Sequence, residues 1–342
     1  MALLDYSKAY DRVWREDLLL TMLDKGVPYQ MVKWVRAFLQ NRRARVKVNN
    51  TLGKSFAIHQ GLPQGAVLSP LLFLLFIDDL ATVVPEHTDP SLFADDAALS
   101  STHKEKQVAT DNLQEAITAV EKWSSSKKLE LNVEKCEVTF FSTNTHEISK
   151  FVPKITLHGK ELEYNKTPTF LGVKLDSSLS FAPHVTSITD KVGKRNRVLA
   201  SLCSKSWGFR KEHLKTAHMA LQSSVLNFAA PAWQPFLSPS ELERLQKAQN
   251  KSLRIITGQY NSTPVEALRA EANMPSYATT SKRLIATSYE RALRLPTDHP
   301  RHTTALKEVD HRLWRSSWRK EAKALIKATP LDTAVREPLP CP

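Results

Sequence analysis

Apolar and polar positions follow two regimes along the 342-residue chain: mixed strand and helix periods to about residue 177, then helical spacing alone from Pro183 onward. Residues 2–5 read as a short apolar strand ending on Asp5, an unusual start for a strand that must sit mid-sheet. Residues 14–23 carry apolar groups at helical spacing and stop at Gly26. Pro28 then opens a second amphipathic helix, with Met31, Val35 and Phe38 as its core stripe. Over residues 43–48 charge recurs at every second position, so an extended strand puts Arg43, Arg45 and Lys47 on one face and Ala44, Val46 and Val48 on a core-facing one. Asn49, Asn50 and Gly53 supply the following turn. Ser69 as a cap and Pro70 at the first helical position start a helix over residues 71–84 that is apolar nearly all round, hence buried.

Residues 92–100 predict a hairpin whose turn presents Asp95 and Asp96, and Val108, Leu113, Ile117, Val120 and Trp123 mark a long helix packed on the sheet. Strands follow at 137–142 and 155–164, the latter turning at His158, Gly159 and Lys160, with a further hairpin at 170–175. Beyond the change of regime, Val185, Ile188, Val192, Leu199 and Leu202 form one helical stripe and Leu242, Leu245, Leu253 and Ile256 another. Further helices are expected at 263–272, 276–295 and 303–328, the last with Leu313, Trp314 and Trp318, before a proline-rich tail from Pro330. The pattern is α+β, followed by a helical part.

Composition narrows the function classes. Cys136, Cys203 and Cys341 are too far apart for a zinc knuckle or a disulfide framework, which favours a reducing compartment. The longest apolar run, residues 66–77, is broken by Ser69 and Pro70 and falls short of the ~18 residues of a membrane span, so no membrane partner is expected. Net charge is +13, and residues 1–100 hold 11 basic and 11 acidic side chains, so the whole surplus lies after residue 100. A surplus of this kind attracts a polyanion such as nucleic acid, with a merely basic solvated surface as the alternative.

Asp5 leaves one apolar strand while Asp95 and Asp96 sit between two others, so adjacent strands bring three carboxylates together. Two carboxylates about 4 Å apart repel by roughly 4 kcal/mol at an effective dielectric near 20, and a divalent cation reverses that cost. All-oxygen donors suit Mg²⁺ or Mn²⁺, two of which can activate a 3′-hydroxyl and stabilise a pyrophosphate leaving group. An isolated Asp-Asp pair is more often a solvated turn, so the surrounding sequence must carry the assignment.

Four ordered blocks do so: LLDYSKAYDRV, GLPQGAVLSPLLF, FADD and LNVEKCEVTFF. Together they resemble motifs A, B, C and D of the reverse transcriptases of non-LTR (LINE-type, jockey-like) retrotransposons. The resemblance implies a right-hand polymerase palm over residues 1–177, an antiparallel sheet with packed helices, then a helical thumb and connection over 178–260 and a helical C-terminal extension over 261–342. It makes Asp5, Asp95 and Asp96 metal ligands for two Mg²⁺ or Mn²⁺ ions and Asp11 a structural acid. Tyr10 becomes the aromatic gate under the incoming sugar, Gln64 and Gly65 lie against the nascent base pair, and Lys135 approaches the pyrophosphate. Phe170, Leu171 and Gly172 resemble the primer-holding hairpin, and Arg43, Arg45 and Lys47 are candidates for template phosphate. Taken singly, Tyr10 also fits a core aromatic, Gly65 a turn residue and Lys135 a solvated cation.

The implied partners are an RNA template, a DNA primer and dNTP, in the nucleus and cytoplasm. The family places a fingers region, often with an endonuclease, before motif A, so the chain is expected to be an internal piece of a polyprotein, starting at motif A and exposing apolar surface. The RNase H domain that follows the thumb in some relatives has no acidic cluster here. The rival readings are a catalytically inactive remnant that keeps nucleic-acid binding, and an unrelated metal-dependent phosphohydrolase, for which no water-activating base is evident.

Overall fold

A computed structural model describes residues 1–203, 208–307 and 318–328, and the chain divides into two units, Met1–Leu171 and Gly172–Pro342. The first unit runs β1 (Ala2–Leu4), α1 (Ala9–Arg12), α2 (Arg15–Asp24), α3 (Tyr29–Leu39), β2 (Arg43–Ala44), β3 (Lys47–Val48), β4 (Thr51–Leu52), β5 (Phe56–Ala57), α4 (Ser69–Ile77), α5 (Leu80–Val83), β6 (Asp89–Phe93), β7 (Asp96–Ser100), α6 (Lys106–Ser126), β8 (Glu137–Val138), α7 (Thr145–Lys150), β9 (Thr156–Leu157), β10 (Lys160–Glu161), β11 (Glu163–Tyr164) and β12 (Thr169–Phe170). Five strands form one sheet in the order β11-β8-β1-β7-β6, antiparallel except for the parallel β11/β8 pair. The wholly apolar β1 is therefore central, flanked by β7 and β8. Leu113, Ile117, Val120 and Trp123 of α6 join Leu4, Leu99, Val138, Phe73 and Phe76 in one core.

Several expectations need correction. The buried stripe of α3 is Val32, Val35 and Leu39, while Met31 is 58% exposed and Phe38 is half-buried beside Trp34. The two sets are equally wide on the helix surface, but the buried one is rotated so that Met31 and Phe38 fall beyond its edge. The alternating segment at 43–48 breaks into β2 and β3, which pair only with β5 and β4. Among the described residues no layer covers their apolar face, so Val46 and Val48 are 60% and 62% exposed and not core. The turn is as read at Asn49 (φ 45°) and Asn50 (φ 67°), which both occupy the left-handed region that a tight hairpin turn requires, whereas Gly53 lies beyond β4 with its amide donating to the Val46 carbonyl (2.8 Å).

The apolar segment expected to form one buried helix over 71–84 is instead α4, a turn at Asp78 and Asp79, and α5. Leu72, Phe73, Phe76, Ile77 and Leu80 are buried, but Leu71 and Leu74 are exposed, so the helix has a solvent face. Leu71 borders a mostly apolar, open groove of about 450 Å³ shared with Met31, Trp34 and Gln30. Ser69 is the first helical residue and not the cap, and its hydroxyl donates to the Pro63 carbonyl at 2.6 Å. The strand expected at 137–142 is only two residues long, and α1 and α7 carried no signal in the spacing.

The second unit runs β13 (Val173–Lys174), α8 (Ala182–Ser201), α9 (Lys211–His218), a π-helical stretch (Met219–Ser223), α10 (Ser224–Leu226), α11 (Ala230–Trp233), α12 (Pro239–Thr257), α13 (Val265–Ala272), α14 (Tyr277–Leu293), α15 (Pro300–Leu306) and α16 (Trp318–Lys327). Asp176 accepts hydrogen bonds from the Phe181 amide (2.7 Å) and from Ser178 and Ser180, which shapes the chain leading into α8. The stripes of α8 and α12 are buried as expected at Val185, Ile188, Val192, Leu199, Leu245, Leu253 and Ile256, whereas Leu202, just past α8, and Leu242 are half-buried. The helix expected over 303–328 is not continuous, because α15 ends at Leu306; Leu313 and Trp314 lie outside the described residues, as does the tail from Pro330. Helices and strands are mixed in the first unit, and only helices follow β13 among the described residues of the second. No described helix is long and apolar enough to cross a membrane.

Candidate active site

Strand β1 ends where its apolar run ends, and the register that pairs Leu4 with Ala97, carried one residue past the strand, brings Asp5 level with Asp96, the first residue of β7. Phe93 pairs with Asp96, which leaves Ala94 and Asp95 as a two-residue turn. Ala94 has φ 53°, a left-handed conformation more usual for glycine in such a turn. Asp5, Asp95 and Asp96, distant in sequence, thus lie at one end of the sheet, near enough for the charges of Asp95 and Asp5 to act on Asp96. Partial burial raises the Asp96 carboxyl above the ordinary range, and the charges of Asp95 and Asp5 raise it further. The Tyr10 phenol is raised as well, by burial first and then by the charge of Asp95.

Backbone hydrogen bonds fix Asp5. Its amide donates to the buried Cys136 sulfur (3.4 Å) and its carbonyl accepts from the Asn132 amide (2.8 Å). Burial pushes the Cys136 thiol up, which keeps this neighbour neutral. The same loop turns back with the Lys135 amide donating to the Asn132 carbonyl (3.0 Å), and the Lys135 ammonium stands 3.7 Å from the Asp5 carboxylate. Among the described residues, no group of three or more His, Cys, Asp or Glu side chains could hold a metal ion as they stand.

A second layer ties α1 to the segment before α4. The Tyr10 ring stacks on Phe73 at 4.4 Å with 17° between planes, and its carbonyl accepts from the Leu62 amide at 2.8 Å. The Gln64 amide group donates to the Asp11 carboxylate at 2.9 Å. Gly65 has φ 82°, and a side chain there would meet open space, so its glycine is required by backbone conformation and not by close packing. These contacts bring Tyr10, Gln64 and Gly65 into one neighbourhood.

The remaining candidates are disposed differently. Arg43 donates to the Ser55 hydroxyl (2.9 Å), and Arg45 and Lys47 are exposed on the hairpins. No hydrogen bond or ion pair among the described residues links these three to the carboxylates. Leu171 (φ 46°) and Gly172 (φ 79°) form the turn after Phe170, and a side chain at Gly172 would meet the Phe228 ring at 3.1 Å. Arg15, whose guanidinium is bound to four backbone carbonyls, was not among the sequence candidates. Its signal is a cation in the first turn of a helix, against the helix dipole.

The chain is 29% identical over 267 residues to the RNA-directed DNA polymerase from mobile element jockey of Drosophila melanogaster, covering 75% of this chain and 28% of that protein. It is 28% identical over 260 residues to a probable RNA-directed DNA polymerase from transposon BS of the same species, covering 74% of this chain and 28% of the relative. The chain therefore spans little more than a quarter of the length of these relatives. The solved structure of telomerase from Candida tropicalis with a fragment of telomeric RNA is similar at TM-score 0.35 and 11% identity, covering 96% of this chain and 49% of that one. The jockey-like resemblance read from the four sequence blocks is borne out by these relatives, and residues 1–175 match the model of the reverse transcriptase (RNA-dependent DNA polymerase) family, to which the chain belongs.

Proposed function

We propose that the chain carries the nucleotidyl-transfer centre of an RNA-directed DNA polymerase, which joins a dNTP to the 3′-hydroxyl of a DNA primer on an RNA template. The observation that carries this reading is the register that brings Asp5 level with Asp96 with Asp95 in the adjoining turn. Residues 1–177 would act as the palm, 178–260 as the thumb and 261–342 as an extension.

The donor set fits Mg²⁺ or Mn²⁺, because Asp5, Asp95 and Asp96 offer only hard oxygen ligands on adjacent strand ends whose like charges call for a cation. When bound, two such ions supply charge that favours ionisation of the primer hydroxyl and departure of pyrophosphate. Tyr10, braced flat on Phe73, presents a rigid wall against a ribose 2′-hydroxyl. Gln64, held by Asp11, and the open backbone at Gly65 leave room for the nascent base pair. Lys135, beside Asp5, would neutralise the leaving phosphate. Phe170, Leu171 and Gly172 would hold the primer, and Arg43, Arg45 and Lys47 the template backbone.

Primer extension by the purified chain on poly(rA)/oligo(dT) with Mg²⁺ and dTTP tests the reading. The wild-type chain should extend the primer, and Asp95→Asn should lower extension at least ~100-fold while leaving primer–template affinity within about threefold. Equal extension by both proteins, or none by the wild type, rejects it.

A further inference from the structure

Arg15 is the first residue of α2, where a cation opposes the positive end of the helix dipole. Burial holds its guanidinium below the ordinary arginine range, and the charge of Arg42 adds to that effect. What offsets this position is a set of four hydrogen bonds to carbonyls. Nε donates to Gly61 (2.9 Å), one terminal nitrogen donates to Leu39 (2.8 Å) and Ile58 (3.0 Å), and the other donates to Gln60 (2.9 Å). Leu39 is the last residue of α3, so its carbonyl is one of those a helix C-terminus leaves without a partner. One planar fork thus caps α3 and grips three carbonyls of the segment that leaves β5.

That segment runs directly into the residues around Tyr10. The Gly61 amide donates to the Val13 carbonyl (2.9 Å) and the Leu62 amide to the Tyr10 carbonyl (2.8 Å), and Gln64 reaches Asp11 two residues later. The approach at Gly61 leaves no slack: its φ is 76°, and an added side-chain carbon would lie 2.5 Å from the Asp11 carbonyl oxygen. The backbone of residues 60–62 is therefore held from one side by Arg15 and from the other by α1.

We propose that Arg15 is a positioning residue that sets residues 61–65 against Tyr10 and thereby fixes the width of the pocket for the sugar and base of the incoming nucleotide, an inference that rests on the polymerase reading above. A guanidinium is suited to this role because its donors lie in one rigid plane, whereas a lysine ammonium cannot reach four carbonyls at once. A displacement of these residues by about 1 Å is enough to cost a large factor in nucleotide use.

The test uses the full chain with Arg15→Lys, Arg15→Met and Gly61→Ala. The first readout is amide hydrogen exchange at Ile58, Gly61 and Leu62. The second is the affinity for dTTP in a ternary complex with poly(rA) and a chain-terminated oligo(dT) primer, which needs no turnover. The third is KM and kcat for dTTP in primer extension. Both Arg15 variants should speed exchange at Gly61 and Leu62 about tenfold with α6 amides unchanged, as expected for losing charge-assisted hydrogen bonds at a folded site. They should weaken dTTP about tenfold in affinity and KM, with kcat within about threefold, and Gly61→Ala should do the same. Unchanged exchange at Gly61 and Leu62 overturns the proposal, and so does faster exchange with unchanged dTTP affinity. A wild-type chain that binds dTTP but never extends the primer counts against the polymerase reading alone; one that binds no dTTP overturns both.

Discussion

Replacing Lys127 by methionine probes how the helices behind the sheet are locked together. Lys127 follows the last turn of α6, and its ammonium reaches Asp17 of α2 at 2.9 Å and Asp79, between α4 and α5, at 3.2 Å, while lying 5.6 Å from the centre of the Phe76 ring. Burial pulls its pKa down, but hydrogen bonds to Asp17 and Asp79 more than compensate, so it stands above the ordinary lysine value. Methionine keeps much of the alkyl packing on Phe76 and deletes the charge. Each hydrogen bond to a charged partner contributes about 1.5–3 kcal/mol. The Asp79 side chain is 39% exposed and rehydrates readily, so its share is discounted, leaving a loss of about 2–3 kcal/mol in total. For a unit of this size each kcal/mol moves the melting temperature by about 2–4 °C, so thermal unfolding followed by circular dichroism should shift down by about 4–12 °C. The pH dependence carries a sign: because the folded pKa is raised, the ion-pair stabilisation is fully present below the unfolded lysine value of about 10.4 and is lost as pH rises through the folded one. The difference between wild type and variant should therefore be flat from about pH 7 to 10 and shrink above that. A shift under about 1 °C, or a difference that grows above pH 10.5, would refute the assignment of Lys127 as the lock.

Lys135→Ala should separate stability from chemistry: its pair with Asp5 is largely solvated and contributes at most ~1 kcal/mol, so melting should move by less than about 4 °C, while extension falls ~100-fold. Unchanged extension removes Lys135 from the site. Tyr10→Ala should raise ribonucleotide incorporation relative to dNTP about tenfold in competition assays, because the wall stacked on Phe73 is gone; unchanged sugar selectivity rejects that role. Neutralising Arg43, Arg45 and Lys47 together should lower the slope of log affinity against log salt by about 2–3 if these exposed cations meet phosphate, and an identical slope rules that contact out.

What could be read from the sequence depended on how far the deciding partner lay along the chain. Asn49 and Asn50 announce their turn because the left-handed conformation is settled within two residues, and the stripe on α8 is legible because its period repeats over five turns. Asp5, Asp95 and Asp96 were visible as polar residues ending apolar strands, although only strand register brings Asp5 level with Asp96. Errors arose where an apolar pattern was equated with burial. Val46 and Val48 alternate as a covered strand would, but coverage needs a second layer, and among the described residues the hairpins have none. The exposed side of α4 fails in the same way, since Leu71 and Leu74 are indistinguishable in sequence from the buried Leu72. The hidden features are those whose partners are backbone atoms. Arg15 binds carbonyls of Leu39, Ile58, Gln60 and Gly61, and any residue type could present those carbonyls, so no spacing rule can reveal the set. Cys136 behind Asp5 is of the same kind: its distance from the other cysteines says nothing of its contact, yet its sulfur accepts the Asp5 amide at the point where β1 ends. A carboxylate site at strand ends is thus announced by its charges but held by backbone contacts: substitution of Cys136 should disturb its geometry without removing any of its charges, whereas substitutions at Arg15 and Gly61 should disturb the neighbouring pocket at Tyr10.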